Sequence, residues 1–537
     1  MHVVNLEDTE ERLLGRILQL QAAHNGATEF LITDENRITY AQAETITNQL
    51  AAGFLSLGIG AGDRVSFFAG SSPQLVLMCL ALNKLGAVWV PICTDYKGEW
   101  LQDALVRSRA KILVTDADLA SRVDAIADSL EYEHLVLLET DAAAARNAVS
   151  YAQLCDHEPY TADYSTQDYG DTCAILWTSG TTGKSKGVML AHNNWIRSTL
   201  MGTNLQYDNR PGDIVYCAMP LYNAGAWLTC VLRAMINGIG CAIEKKFSVS
   251  SFMARVEHFG ATQTFAVGSM GVFLMNAPER DSDRHNPLRE ALIVPMPPAM
   301  WHAFEQRYNV KLVRSGLGQS ECLLTLNHEH SDIEGPVYAL GFPPPDVDVR
   351  LFDDDGNEVP DGEPGEICVR PLADHIVFNG YFDNAQATAD AFRDGWFLTG
   401  DMARKDPENG VFFFVDRKKD AVRFAGRNIS TLEVESIVLR HPDVEQAAAF
   451  GIPSAALDSE DELKLNVVLK PGCSASPEAL CDFINSNAPY YFVPRYMDMV
   501  ESLPYTPTNK VEKYRLRAQG VTDSTWDLKR SSFTVRK

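Results

Sequence analysis

Apolar residues over the first 400 positions recur in two periods that trade places along the chain. Short blocks such as Arg64-Val65-Ser66-Phe67-Phe68 and Ala110-Lys111-Ile112-Leu113-Val114 read as strands. Between them, Tyr40 to Leu57 and Gln74 to Leu85 read as helices. Gly86-Ala87-Val88-Trp89-Val90-Pro91 reads as a helix end passing into a strand. This alternation predicts an α/β fold: a large N-terminal domain of layered sheets whose strands run largely parallel. The most apolar early run, Leu75 to Leu82, is broken by Asn83-Lys84. It falls far short of the ~20 residues a membrane helix needs.

From about Gly341 the pattern changes to short strands and tight turns, predicting a small β-barrel-like subdomain. Within it, Asp353-Asp354-Asp355-Gly356-Asn357-Glu358 superficially matches a calcium loop, but Glu358 stands where an EF-hand needs Gly. A hairpin turn fits better. After the strand Val411 to Val415 comes a charged stretch, Asp416-Arg417-Lys418-Lys419-Asp420. Beyond it Ser430 and Glu433 make a capping-box pattern that opens a helix to about Arg440. Strands are expected near Ala447 and Leu465, and a helix from Pro477 to Ile484. The boundary is placed at Lys419, giving domains 1–418 and 419–537, the second a small α+β domain.

Composition narrows the function. A chain of 537 residues is too long for one hydrophobic core, and 46% hydrophobic with 22% charged residues is the mix of a soluble globular protein. With 47 Lys+Arg against 71 Asp+Glu the net charge is -24, which repels nucleic acid and anionic lipid. Neither is expected as a partner, so any phosphate must be met locally, by backbone N–H groups and a few placed cations. The 11 cysteines are an odd number with no CxxC pair, which argues against a disulfide framework or a structural zinc site. The acidic start Met1-His2-Val3-Val4-Asn5-Leu6-Glu7-Asp8 does not read as a secretion signal. A cytoplasmic location is expected.

The segment Leu176-Trp177-Thr178-Ser179-Gly180-Thr181-Thr182-Gly183-Lys184-Ser185-Lys186-Gly187-Val188 carries the chemistry. An apolar strand runs into a loop rich in glycine and hydroxyl side chains and carrying lysines, the make-up of a phosphate cradle. It is not a Walker A loop, because Thr178 stands where that motif needs its first Gly.

Here the sequence resembles the AMP-forming adenylating superfamily of acyl-CoA synthetases, luciferases and nonribosomal-peptide adenylation domains. Thr178 to Gly187 resembles its signature loop, with Ser185 in place of the usual Pro, a change expected to loosen the loop. The resemblance continues in order to the C-terminus. Leu317-Gly318-Gln319-Ser320-Glu321 is similar to the segment whose Glu holds the magnesium of MgATP, although Leu317 replaces the ring that stacks on adenine. Gly395 to Asp401 resembles the segment whose Asp binds ribose hydroxyls. Asp416 to Asp420 resembles the hinge motif, with Arg417 toward ribose and phosphate and Lys419 as pivot. Leu503 to Lys510 resembles the segment of the catalytic lysine, with Asn509 in place of Gly.

The resemblance implies ATP, Mg2+ on Glu321 and coenzyme A as co-substrate. Thr178, Ser179, Gly180, Thr181, Thr182, Gly183 and Lys186 would cradle phosphates beside Ser320, with Asp401 and Arg417 on the ribose and Lys510 as the mobile catalytic lysine. Tyr222, Asn223, Gly316 and Leu317 would line the acyl pocket. Asn223, where amino-acid-activating relatives carry Asp nearby, argues against an amino acid substrate. Ile293-Val294 lies where relatives have small glycines beside adenine, which suggests an altered pocket. In layout, including Gly426-Arg427-Asn428, the chain resembles the carnitine/crotonobetaine-CoA ligase group. Three readings follow. The favoured one is an AMP-forming acyl-CoA ligase acting on a small carboxylic acid. The others are an amide synthetase that passes the adenylate to an amine, and a non-catalytic adenylate-binding protein. Retention of Lys510, Glu321, Asp401 and Arg417 argues against the last. A homodimer is left open.

Overall fold

The computed structural model describes the chain except residues 1–7, 179–184, 295, 297, 315, 329–338, 419–421, 425–426, 454–460, 506–510 and 537. The run Leu75 to Leu82 forms part of the helix Pro73–Lys84. That helix starts on Ser72, whose hydroxyl accepts from Leu75 N at 3.3 Å, with Pro73 at its first position. It is buried on every side from Leu75 to Lys84, so it shows no polar stripe and serves as a core helix. Lys84 is tolerated there because its ammonium meets Glu44 at 2.7 Å and Asn48 at 2.6 Å. Both come from the helix Tyr40–Ser56, which opens on a full capping box of Thr39 and Gln42.

The described residues form two compact units. One draws on Met1–Glu334, Leu340–Asp348 and Arg370–Gly395; the other on Gly335–Ala339, Val349–Val369 and Trp396–Lys537. Two seven-stranded sheets carry the first. In spatial order one runs Val149–Ser150, His134–Leu137, Ile112–Thr115, Arg64–Phe68, Val88–Pro91, Thr172–Thr178, Lys186–Ala191, and only its last pair is antiparallel. The other runs Lys311–Leu312, Glu290–Val294, Gln263–Val267, Ile214–Cys217, Gly240–Ile243, Glu29–Ile32, Arg37–Thr39, again with one antiparallel edge pair. Interior strands such as Val88–Pro91 and Gly240–Ile243 are buried throughout, which explains their unbroken apolar sequence. Trp89 stacks on Trp227 at 4.5 Å and on Trp195 at 5.8 Å, bringing a strand and two helical segments into one core. The expected α/β fold is the one observed.

In the second unit Trp396–Lys405 pairs antiparallel with Phe412–Arg417 and with Gly365–Pro371. The Asp353 turn is a hairpin: Asn357 N donates to Asp353 Oδ1 at 2.8 Å, and Phe352 bridges Glu358. A four-stranded sheet follows, built on Val444–Pro453, Asp461–Leu469, Tyr496–Met499 and Trp526–Asp527, with helices Thr431–Val438, Pro477–Asn487 and Lys513–Gln519. Ser430 caps the first of these helices as expected, but the Glu433 carboxylate lies 3.3 Å from Arg404. Among the described residues no helix is long and apolar enough to cross a membrane. All 11 cysteines are free thiols.

Candidate active site

Thr178 and Lys186 end and begin the two arms of an antiparallel hairpin and pair directly across its mouth. Thr178 Oγ1 donates to Lys186 O at 3.3 Å. Ser179, Gly180, Thr181, Thr182 and Gly183, which the sequence places in the cradle, lie outside the described residues. Their frame is firmly built. Arg107, on the helix Glu99–Ser108, donates to Ser185 O at 2.9 Å and stacks over Trp177 at 4.6 Å. Trp177 Nε1 donates in turn to Ser108 Oγ at 3.0 Å. Ser185 is buried, and its side chain lies near the Tyr96 hydroxyl. The Ser185 carbonyl therefore ties this arm of the hairpin to the helix Glu99–Ser108.

Glu321 sits at the tip of a small antiparallel ribbon, Leu317–Gln319 against Cys322–Leu326, beside the half-buried Ser320 and Leu317. Gly316 and Gly318 let the ribbon close. A Cβ on Gly316 would stand 2.0 Å from Leu326 O, and one on Gly318 2.3 Å from Leu323 O. Tyr381 Oη donates to Glu321 Oε1 at 2.8 Å, while Lys186 Nζ lies 4.5 Å from the centre of the Tyr381 ring. Burial, and then the Glu321 charge, push the Tyr381 phenol well above its usual titration range, so it is a permanent donor. The structure thus brings Thr178, Lys186 and Glu321 together through a residue that no sequence motif singled out. Gly380, the residue before it, sits at φ +107°.

Asn223 caps the helical turn Ala224–Ala226, its side chain accepting from Gly225 N at 2.9 Å. Tyr222 lies beside Cys93. The turn runs on into a π-helical segment, Trp227–Val231, a wide turn that often marks functional sites. Ile293 is buried and complemented by a glycine: a Cβ on Gly271 would meet its Cγ2 at 2.7 Å.

In the second unit Asp401 and Arg417 are register partners on adjacent strands, with Arg417 Nε 3.7 Å from Asp401 Oδ1. Gly400, at φ +72°, makes the irregularity that precedes Asp401. Its N–H donates to Glu366 Oε1 at 3.0 Å, and its carbonyl accepts from Lys418 N at 2.9 Å. Lys418 is engaged by Glu366 and Asp354, each at 2.8 Å. Lys419 and Lys510 lie outside the described residues.

The sequence profile of the AMP-binding enzyme family matches residues 18–382, and that of the AMP-binding enzyme C-terminal domain matches 433–510. The chain belongs to the AMP-binding enzyme family. It is 30% identical over 487 residues to a crotonobetaine/carnitine–CoA ligase of Escherichia fergusonii, covering 90% of this chain and 93% of that one. Its fold is shared with the anthranilate CoA ligase AuaEII in complex with anthranoyl-AMP, at a TM-score of 0.84 and 22% identity over 94% of this chain and 97% of that one. The amide bond synthetase McbA from Marinactinospora thermotolerans is similar at a TM-score of 0.80 and 21% identity, over 95% and 99% of the two chains.

Membership in this family fits the donor set. Among the described residues no group of three or more His, Cys, Asp or Glu is arranged to hold a metal, so no all-protein cage is offered. Glu321 keeps Oε2 without a hydrogen bond among those residues, one open carboxylate oxygen beside a lysine. Mg2+ commonly takes one or two carboxylates and completes its shell with substrate phosphates and water, so a single glutamate suits it.

Proposed function

We propose that this chain is an AMP-forming acyl-CoA ligase for a small carboxylic acid. The observation that carries the reading is the cluster in which the stem of the glycine-rich loop, Lys186 and Glu321 meet around Tyr381. In this reading the substrate carboxylate attacks the α-phosphorus of ATP, a mixed acyl–phosphate anhydride forms, and pyrophosphate leaves. The sulfur of coenzyme A then attacks the acyl carbon, the thioester forms, and AMP leaves.

Residues Thr178 to Gly183, with Lys186, hold the β- and γ-phosphates, where backbone N–H groups and an ammonium oppose their charge. Ser320 lies beside them. Glu321 would hold Mg2+, which when bound neutralises phosphate charge. Asp401 accepts the ribose hydroxyls, Arg417 reaches ribose and phosphate, and Lys510 offsets the charge that builds as two anions approach. Tyr222, Asn223, Gly316 and Leu317 bound the acid, and Lys419 is the pivot between domains 1–418 and 419–537. The resemblance across 90% of the chain to a named CoA ligase supports a thiol acceptor over an amine.

The test is carboxylate-dependent exchange of labelled pyrophosphate into ATP across a panel of acids, followed by coenzyme A or an amine as acceptor. Exchange and thioester formation are expected, with Lys510→Ala abolishing exchange yet still transferring a supplied acyl-adenylate. Exchange followed by amide but no thioester would move the assignment to an amide synthetase. Loss of neither half-reaction in Lys510→Ala would remove that lysine from the mechanism.

A further inference from the structure

Lys186 and Glu321 carry opposite charges in one neighbourhood, yet among the described residues no ion pair joins them; Tyr381 lies between. Its ring takes the ammonium on its face at 4.5 Å and its hydroxyl takes one carboxylate oxygen at 2.8 Å. We propose that Tyr381 is a positioning residue that holds Lys186 and Glu321 apart and aimed, so that each keeps a free side for the phosphates of MgATP. This rests on the adenylating function proposed above.

The segment around Tyr381 is built as a strap. Asn379 N donates to Met189 O at 2.8 Å, Met189 N to Gly380 O at 3.0 Å, and Phe382 N to Gly187 O at 2.7 Å. Tyr381 itself bridges Val188. The strap therefore lies along the outgoing arm of the glycine-rich hairpin. At its other end Phe378 N donates to Glu321 O at 2.8 Å, tying it to the tip of the Glu321 ribbon. Thr388 Oγ1 accepts from Tyr381 N at 2.9 Å and so fixes the backbone under the ring. Phe378 packs edge-on against that ring at 4.8 Å. With 7% of its surface exposed, Tyr381 has little freedom to turn away.

The chemistry explains why a tyrosine suits this place. A lysine and a glutamate free to reach one another would pair, and each charge would be spent on the other. An aromatic face attracts the cation without neutralising it. A phenol hydroxyl donates to a carboxylate and occupies one oxygen while leaving the second open. Phenylalanine would keep the first contact and lose the second; leucine would lose both.

The experiment compares full-length wild type, Tyr381→Phe and Tyr381→Leu. Calorimetry measures ATP affinity with and without Mg2+, alongside KM and kcat in the exchange assay and the thermal unfolding midpoint. In Tyr381→Phe the gain in ATP affinity that Mg2+ brings should shrink about tenfold, the scale of one hydrogen bond to a charged group. Metal-free affinity and the unfolding midpoint should stay at wild-type values, and KM for MgATP should rise more than kcat falls. Tyr381→Leu should weaken ATP binding with and without the metal. A Tyr381→Phe chain with the full wild-type Mg2+ gain would overturn the proposal. So would equal loss with and without Mg2+ accompanied by a lower midpoint, which is the signature of packing alone. A wild type that binds no MgATP would overturn the adenylation reading as well. Where the wild type does exchange pyrophosphate, a failure in the variants counts against the role of Tyr381 alone.

Discussion

Lys513 is the cation of a buried cluster in the second unit, and replacing it with Met should loosen that unit in a pH-dependent way. Its ammonium lies 2.8 Å from Glu435 Oε1 and donates to Thr431 Oγ1 at 2.7 Å. Thr431 in turn donates to the buried Asp416 from its backbone N at 2.6 Å and from its hydroxyl at 2.7 Å. Lys513→Met keeps the aliphatic stem but leaves two carboxyls without their cation. Removing one partner of a buried pair costs about 3–5 kcal/mol. Because Lys513 and Glu435 each retain 13% exposure, the lower end is expected, about 3 kcal/mol. At about 1.4 kcal/mol per factor of ten, local opening should become somewhat more than 100-fold more frequent. Burial raises the carboxyl pKa of both Asp416 and Glu435, and Lys513 pulls both back down. Without it both rise further above their unfolded values. A raised carboxyl contributes stability at low pH that is lost as pH climbs through its folded-state value, so the deficit of the variant should be larger at pH 8 than at pH 5. Two units need not unfold in one transition, so the readout is native-state amide exchange in peptides covering Thr431–Val438 and Lys513–Gln519, corrected for intrinsic rates. A loss of protection below about threefold, or one equal at both pH values, would refute the argument. Next to the cluster, Tyr505 pairs with Val511 and Glu512 N donates to Pro504 O at 2.8 Å.

Two further perturbations test the first unit. His192 is buried, its Nδ1 accepts from Leu14 N at 3.2 Å, and burial pushes its pKa down to about 3. A depressed histidine contributes stability above its ordinary value that is lost as pH falls toward 3, so His192→Asn, which keeps an acceptor there, should show a smaller drop in unfolding temperature between pH 7 and pH 5; an identical drop would remove His192 from the acid response. Gly316→Ala should lower the unfolding temperature and weaken MgATP binding together, because its Cβ would stand 2.0 Å from a backbone carbonyl that cannot swing aside, at a cost of about 1–3 kcal/mol. Unchanged stability and binding would mean that the ribbon relaxes without disturbing Glu321.

Much of this protein was legible in its residues because the relevant signals are local. Arg64 to Phe68 is a strand because branched and aromatic side chains suit a buried sheet, and Ser72-Pro73 starts a helix because hydroxyl and ring satisfy its first turn. The glycine-rich loop reads as a phosphate cradle by composition alone, since its glycines and hydroxyl side chains are nearly consecutive. Glu321 and Asp401 became candidates because each stands inside a short segment of recognisable pattern. The Glu433 half of the capping box was not settled in this way: an exposed carboxylate can turn to either of two partners, and Arg404 comes from a distant strand.

What only the tertiary structure decided are contacts between residues far apart in sequence. No spacing announces that Tyr381 will lie between Lys186 and Glu321, because that depends on a strap returning along the glycine-rich hairpin. Nor does the sequence say that Arg107 holds Ser185, or that Gly271 makes room for Ile293. Local propensity and residue chemistry are written in consecutive positions, whereas the partner of a buried charge is set by which elements the packed core brings side by side.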